Sequence, residues 1–417
     1  MSGRPHDVVV VGGGPGGSAA AYALAARGVR VLLLDKAVFP REKVCGDGLT
    51  PRAVAALDAM DLLERLRPVA QPISDVEVIA PDGGGVRTTV PAPAAAPGRS
   101  SGRTRPRPPA MLIVPRVHLD DAIRARAVEA GASFEGGVEV EDVVREDGRI
   151  AVRATRAGRV ITYRARLAIV ATGASITLPR RLGALPRPPA MMLAARTYVA
   201  RDGTDPRVEI RFAGVPLPGY GWIFPISASA ANAGVGFFVR RGRAMPAARA
   251  ACERFLQAAH ARILEGGRRA GGIRSYPLRV DFPASAVRAD GVLFAGEAAG
   301  LVNPLTGEGI DYALESGGIA AECAAAFLAG ADHSPGGFAA AASAYEHALR
   351  RRFERLFAVC RMIRDVSARP AVLNRLVRIA GRRDDLTSGL VNVVLGNRES
   401  LAAASVRAAL ARVLLKR

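Results

Sequence analysis

Two short stretches carry side chains suited to chemistry. Cys45-Gly46-Asp47-Gly48-Leu49 places a thiol in a glycine-framed loop. Tyr220, Trp222 and Phe224 recur at every second position, so on a strand their rings face one side. A thiol with a depressed pKa can pass a proton. An aromatic wall suits an apolar chain, and its ring faces steady positive charge. The plainer alternatives are a small packing residue at 45 and one side of a hydrophobic core at 220–224.

Both stretches need elements to position them, and the N-terminus supplies the first. Val8 to Val11 reads as a buried parallel strand and Ala19 to Arg27 as a helix stopped by Gly28. Val31 to Leu34 reads as a second strand that ends at Asp35. Between them Gly12, Gly14 and Gly17 form G-x-G-x-x-G, the dinucleotide fingerprint in its strand–turn–helix–strand context. Gly12 makes the turn, Gly14 lets the backbone approach a pyrophosphate, and Gly17 lets helix and strand pack closely. The helix N-terminus offers free N–H groups to the phosphates, and Asp35 stands where a carboxylate accepts ribose hydroxyls.

The chain has 417 residues, enough for two or three domains. Its formal charge is +20, supplied almost wholly by arginine, since Lys36, Lys43 and Lys416 are the lysines. No basic-aromatic module accompanies that charge, so nucleic acid is not an expected partner. An anionic substrate or membrane surface is the better match. Cys45, Cys252, Cys323 and Cys360 are widely spaced, without a C-x-x-C, and the five histidines form no H-x-x-x-H. Neither a metal site nor a disulfide framework is expected, and the compartment reads as reducing cytoplasm. Val8 to Ala26 carries no charge, but its glycines argue against a membrane helix.

Thr50 reads as the cap of a helix beginning near Pro51. Asp75 to Ile79 and Val86 to Val90 read as strands around a turn, and Pro91 to Pro109 as a basic, low-complexity mobile loop. Arg116 stands ahead of a helix from about Leu119 to Glu129; it reads as a cofactor contact or as a surface arginine. Strands follow at Phe134 to Val144, Ala151 to Thr155, Val160 to Tyr163 and Leu167 to Val170. Pro179 to Pro189 marks a boundary. Ala194 to Phe212 and Gly221 to Phe238 read as strands of a sheet, Ala247 to Leu264 as a helix, and Val292 to Ala295 as a strand returning to the first domain. The remainder is mostly helical. Leu349, Phe353, Leu356, Cys360 and Ile363 recur at helical spacing, opposite Arg350, Arg351, Arg352, Arg355, Arg361 and Arg364. Ser405 to Arg417 repeats that pattern. Core-facing helices are one reading, docking on an anionic bilayer the other.

Four motifs together resemble the FAD-dependent geranylgeranyl reductases, within the para-hydroxybenzoate hydroxylase-like flavoproteins. They are the fingerprint, Cys45-Gly46-Asp47-Gly48-Leu49, and Tyr220-x-Trp222-x-Phe224-Pro225 followed by eight residues and Gly234-x-Gly236. The fourth is Gly296-Glu297-Ala298-Ala299-Gly300 with Pro304 and Gly307-Glu308-Gly309-Ile310. The second and third are specific to the reductase branch. Glu297 departs from the class's usual Asp. Ala171-Thr172-Gly173 replaces the Asp-Gly pair of the hydroxylases, which argues against hydroxylation and against direct use of NADPH. The Trp-x-Trp-x-Ile-Pro stretch of halogenases is absent.

The resemblance implies an α/β fold: a Rossmann-type FAD-binding domain on a discontinuous chain, an antiparallel-sheet substrate domain and a helical C-terminal region. The expected boundaries are 1–80, 111–178 and 285–320 for FAD binding, 81–110 and 179–284 for substrate, and 321–417 for the helical part. Expected FAD contacts are Gly12, Gly14, Gly16, Gly17, Asp35, Lys36, Cys45, Gly46, Gly48, Arg116, Val140, Glu297, Gly307, Gly309 and Ile310. Cys45, Tyr220 and Trp222 are the expected catalytic residues; Cys45 reads either as a thiol passing a proton or as a small residue beneath the isoalloxazine. The Gly307–Ile310 segment opens a helix toward Gly317 whose partly positive end suits the flavin's pyrimidine edge. The implied activity is reduction of isolated C=C bonds in a prenyl chain, with NAD(P)H or a reduced carrier protein as electron donor. The implied location is the cytoplasm or the inner face of the membrane. A monooxygenase or halogenase acting on an aromatic or polyene is the second reading, and a non-catalytic flavin-binding membrane partner the third.

Overall fold

Val8–Val11 is an unbroken valine run, and all four residues are buried. Such a run suits a strand covered on both faces, as in parallel sheets. It pairs in parallel with Val31–Asp35 on one side and Leu167–Val170 on the other. In this computed structural model, which describes residues 6–90, 108–201, 205–239, 245–263, 271–382 and 387, these strands centre a six-stranded sheet. Val292–Phe294 and Ser133–Gly136 extend it in parallel, and Arg288–Ala289 closes one edge antiparallel. Segments almost 300 positions apart thus share one core.

The first helix, Pro15–Ala25, begins directly after Gly14, with Pro15 pre-setting its first turn. It starts four residues earlier than the apolar pattern suggests, because the turn ends at Gly14. It packs on the long helix Ile310–Ala329, and a Cβ at Gly317 would stand 2.2 Å from the Gly16 carbonyl oxygen. Gly317 therefore lies inside that helix as a close-crossing point rather than at its end. Thr50 caps Pro51–Ala59 by accepting the Ala53 N–H.

The second sheet has seven strands in the order 274–279, 191–200, 230–238, 219–225, 208–211, 75–79, 85–89. All neighbours are antiparallel except 208–211 with 75–79. Asp75–Ile79 was expected with the FAD-binding segments, and its pairing with Val208–Arg211 moves that boundary ahead of residue 75. The cause is its alternation: Val76 and Val78 give one apolar face, the pattern of a half-wet sheet rather than a doubly covered one.

The strand Gly219–Pro225 is two-faced. Gly221 and Ile223 meet the helix Ala248–Ile263, where a Cβ at Gly221 would stand 2.2 Å from the Phe255 ring. Tyr220, Trp222 and Phe224 point the other way, into the interior. From Pro335 to Ala380 the described chain is helical, and Leu349, Phe353, Leu356 and Cys360 are buried with Tyr312 and Phe357 in the main core. Their stripe therefore faces the core. Of the opposite face, Arg350 pairs with Glu346, Arg352 with Glu315 and Arg364 with Asp365, while Arg351 and Arg355 are exposed. Residues 91–107 of the expected loop and all of Ser405–Arg417 lie outside the described residues. Among the described residues no helix is long and apolar enough to cross a membrane.

Candidate active site

A cavity of about 1090 Å³ runs from the glycine turn, past the Cys45 loop and the aromatic strand, to the helix Pro370–Ala380. At the first end the backbone itself is the site. A Cβ on Gly12 would meet the Ala171 carbonyl oxygen at 2.4 Å, and one on Gly17 the Gly12 carbonyl oxygen at 1.9 Å. At Gly14 nothing stands closer than the Arg41 guanidinium, at 3.6 Å, so the ground above it is open and cationic. The helix that starts there has no side-chain cap and no acidic residue in its first turn, so its dipole is not neutralised locally. This cradle fits a diphosphate. Asp35 accepts the N–H groups of Gly13 at 2.7 Å and Ala37 at 2.8 Å, which fixes its carboxylate at the cavity wall. These residues fit an FAD.

In the middle, two distant sequence motifs are parts of one construction. Trp222 lies opposite Gly234 on the next strand, and Tyr220 opposite Gly236. A Cβ on Gly234 would come within 2.5 Å of the indole. Gly234 thus leaves room for the indole to lie across the neighbouring strand, while at Gly236 a Cβ would meet the Met192 side chain at 2.4 Å. Ring centroids follow at 6.0 Å (Tyr220–Trp222) and 6.1 Å (Trp222–Phe224). Phe224 in turn lies on the Cys45 loop, 3.3 Å from the Cβ positions of both Gly46 and Gly48. Neither of those glycines has positive φ; the residue that does is Asp47, at 65°.

Hydrogen bonds hold that strained loop. The Asp47 carboxylate accepts Tyr198 Oη–H at 2.8 Å, Asn232 Nδ2–H at 2.7 Å and, more weakly, the Arg116 N–H at 3.3 Å. Burial raises the Asp47 carboxyl above its usual range, against the bonds from Asn232 and Tyr198 that lower it. Arg116 is buried, so the surface-arginine reading is overturned. It forms a bidentate pair with Asp120 (2.7 and 2.8 Å), and the nearby Cys45 favours its charge. Burial opposes the Arg116 charge, but Asp120 and Cys45 more than restore it.

Around this centre stand further titratable groups. Burial lowers the Lys43 ammonium to about 8, and it sits 3.2 Å over the Tyr276 ring. Glu297 accepts the Arg279 N–H at 3.1 Å, and burial raises its carboxyl against the pull of Lys43. Burial, then the neighbouring Asp311, push the Glu308 carboxyl well above its usual range. Tyr220 donates its hydroxyl to the Thr306 carbonyl and so ties the aromatic strand to the loop before Ile310.

Gly12, Gly14, Gly16, Asp35, Lys36, Cys45, Gly46, Gly48, Arg116, Val140, Glu297, Gly307, Gly309, Ile310, Tyr220 and Trp222 all line this cavity. Gly17 does not; it packs beneath the turn. Sequence reasoning assigned no site role to Lys43, Tyr276, Arg196 and Asn232, and none to Glu308 beyond its place in the Gly307–Ile310 motif. Lys43 carried a faint signal as a rare lysine in an arginine-rich chain, and Asn232 as an amide within a run of small apolar residues. Tyr276 carried none.

The FAD binding domain family matches residues 5–334. The menaquinone reductase of Mycolicibacterium smegmatis is 36% identical over 410 residues, 94% of this chain and 91% of that protein. Digeranylgeranylglycerophospholipid reductase 1 of Methanopyrus kandleri is 29% identical over 402 residues, 92% of this chain and 99% of that protein. Among solved structures, a geranylgeranyl bacteriochlorophyll reductase-like protein from Thermoplasma acidophilum superposes with a TM-score of 0.80 at 22% identity, covering 99% of both chains. A flavin-dependent brominase follows with 0.74 at 20% identity, covering 99% of this chain and 100% of that one. At those identities the two structures speak for the fold alone.

Proposed function

This chain belongs to the FAD binding domain family, in the branch of the geranylgeranyl and menaquinone reductases, and from that premise we propose that it saturates isolated C=C bonds in the prenyl chain of a lipid or quinone. The observation that carries the reading is the continuity of one cavity. The glycine cradle opens one end, Cys45 and the aromatic wall occupy the middle, and an apolar branch lined by Val76, Val86, Ile210, Phe212, Leu373 and Leu376 extends beyond. The helix Pro370–Ala380 roofs that branch and is tied to the hairpin 75–89 through Asn374 and Arg378, which bond to Asp82. An apolar branch of this kind takes a greasy chain and no polar ring.

FAD held by the glycine cradle, Asp35 and the Gly307–Ile310 loop would supply the hydride. An isolated alkene has no carbonyl to polarise, so positive charge builds on its more substituted carbon as a proton arrives. Cys45 gives that proton. The Arg116 guanidinium beside Cys45 is the counter-charge to the thiolate left behind. The faces of Trp222 and Tyr220 steady the cationic carbon, and the apolar walls keep water from trapping it. The absent Asp-Gly pair at Ala171-Thr172-Gly173 favours a reduced carrier protein over NADPH as electron donor. Exposed Arg351 and Arg355 suit peripheral contact with an anionic bilayer, where such substrates reside.

The test is anaerobic. Protein with reduced FAD is mixed with a polyprenyl alcohol, which has no quinone ring able to take electrons itself. Return of the oxidised flavin spectrum supports the reading, and a reduced spectrum that persists refutes it for that chain.

A further inference from the structure

We propose that Asn232 is the positioning residue that holds the Cys45 loop and the Trp222 indole in one fixed relation; this rests on the roles given above to Cys45 and Trp222. Asn232 is fully buried in the strand Ala230–Phe238, flanked in register by Tyr198 on one side and Phe224 on the other. Its amide is spent on three groups. Oδ1 accepts Trp222 Nε1–H at 3.0 Å, and Nδ2 donates to the Cys45 carbonyl oxygen and to Asp47 Oδ2, both at 2.7 Å. The orientation is forced, because indole N–H is only a donor while a carbonyl and a carboxylate are acceptors.

No hydrophobic side chain can do this. The aromatic wall and the thiol loop lie almost 180 positions apart in sequence. Stacking of Phe224 on Gly46 and Gly48 fixes their separation but lets the loop slide along the ring. The Asn232 bonds remove that slide, since each is directional and each end is buried. They also hold Asp47 in its left-handed backbone conformation, which no glycine relieves at that position. Because Asn232 bonds the backbone of Cys45 rather than its thiol, it sets where the sulfur points while leaving it free to react. Glycine or a short aliphatic residue at 232 would fill the strand equally well, so its amide is explained by what it orients.

The chain's single tryptophan makes this testable, because indole emission reports on Trp222 alone. Three FAD-loaded variants are compared with the unmodified protein: Asn232→Leu, Asn232→Asp, and Asn232→Asp combined with Asp47→Asn. The first removes all three bonds. The second sets a carboxylate against both the Asp47 carboxylate and the Cys45 carbonyl, and the third restores the pair with residue 47 in exchanged polarity but not the bond to the Cys45 carbonyl, so its recovery is partial. Single-turnover reduction of a prenyl substrate should fall about tenfold to a hundredfold in both single variants, the cost of a small misplacement. The substrate KM should change by less than about twofold, and acrylamide quenching of Trp222 should rise. The exchange should recover turnover at least about threefold over Asn232→Asp, with emission moving back toward the unmodified protein.

Unchanged turnover and unchanged emission in either FAD-loaded single variant would overturn the proposal. So would an exchange that restores folding and FAD loading but not turnover, or loss of FAD from all three, either of which makes Asn232 a folding residue only. Failure of the underlying reading looks different: Cys45→Ala and Trp222→Ala would then turn over normally per bound FAD, while indole emission in the Asn232 variants still shifts.

Discussion

At the glycine turn, backbone makes the site; at the Cys45 loop, side chains make it. The strands, glycines and acid of the turn lie within about thirty residues, and it closes on carbonyl oxygens that no Cβ can approach, that of Gly12 beside Gly17 and that of Ala171 beside Gly12. The Cys45 loop is held by Asn232, Tyr198, Phe224 and Arg116, brought from four other elements. The first region depends on shape alone, while the second depends on hydrogen-bond polarity as well. Substitutions in the two regions should therefore fail in different ways.

The largest effect is expected at the turn. Gly17→Val drives a Cβ into the Gly12 carbonyl, where neither strand nor helix can give way. It should cost about 3 kcal/mol or more and abolish flavin binding. Purification of a yellow, normally melting variant would break the comparison at its firmer end.

Lys43 lies between the two regions, and its effect reads out through pH. Its folded pKa is about 8 against 10.5 for the free group. A depressed base destabilises the folded state wherever it is protonated. The cost is full below about pH 8 and disappears as pH rises toward 10.5. Flavin-free protein should therefore gain stability relative to Lys43→Met over that window, by no more than about 3 kcal/mol. Buried tyrosines and thiols act with the opposite sign there, so the measurement is the difference between the two urea-melt series. A flat difference would show that Lys43 is solvated through the cavity.

Trp222→Ala sharpens the contrast from the other end. FAD should remain bound, because the cradle is untouched. Loss of ring stabilisation for a desolvated cation should cost about 2 kcal/mol in the chemical step. That is about thirtyfold in single-turnover rate. A variant that melts far lower, yet turns over normally per bound FAD, would make Trp222 a core residue.

The smallest effect is expected in the apolar branch. Leu376→Trp should narrow it under the roof helix and lower kcat/KM about tenfold for long prenyl chains, with shorter chains spared. Equal loss for every chain length would place the substrate elsewhere.

The same contrast governs what the sequence discloses. The turn was legible because its strands, glycines and acid are contiguous and periodic. The aromatic stripe was legible from its spacing, but the reason for Gly234 was not, since it lies in cross-strand register with Trp222. Cys45 was visible as a thiol, whereas the buried Arg116 beside its loop was not, because Arg116 pairs with Asp120 inside a helix that reads as amphipathic surface. Asn232 gave only a faint signal for the same cause: an amide among small apolar residues does not say what it bonds until its three partners arrive from elsewhere. Asp75–Ile79 changed sheets because strand propensity does not name a partner.

The central claim is that this cavity adds two hydrogens to a prenyl double bond, and product mass tests it most directly. Protein carrying reduced FAD is given one equivalent of a polyprenyl substrate without oxygen, and the extracted chain is weighed by mass spectrometry. The account predicts a gain of two hydrogens on the chain, matched to the flavin oxidised and strongly diminished in Trp222→Ala. Flavin oxidation with the chain mass unchanged, or a gain of oxygen or halide on admitting air and salt, would contradict it.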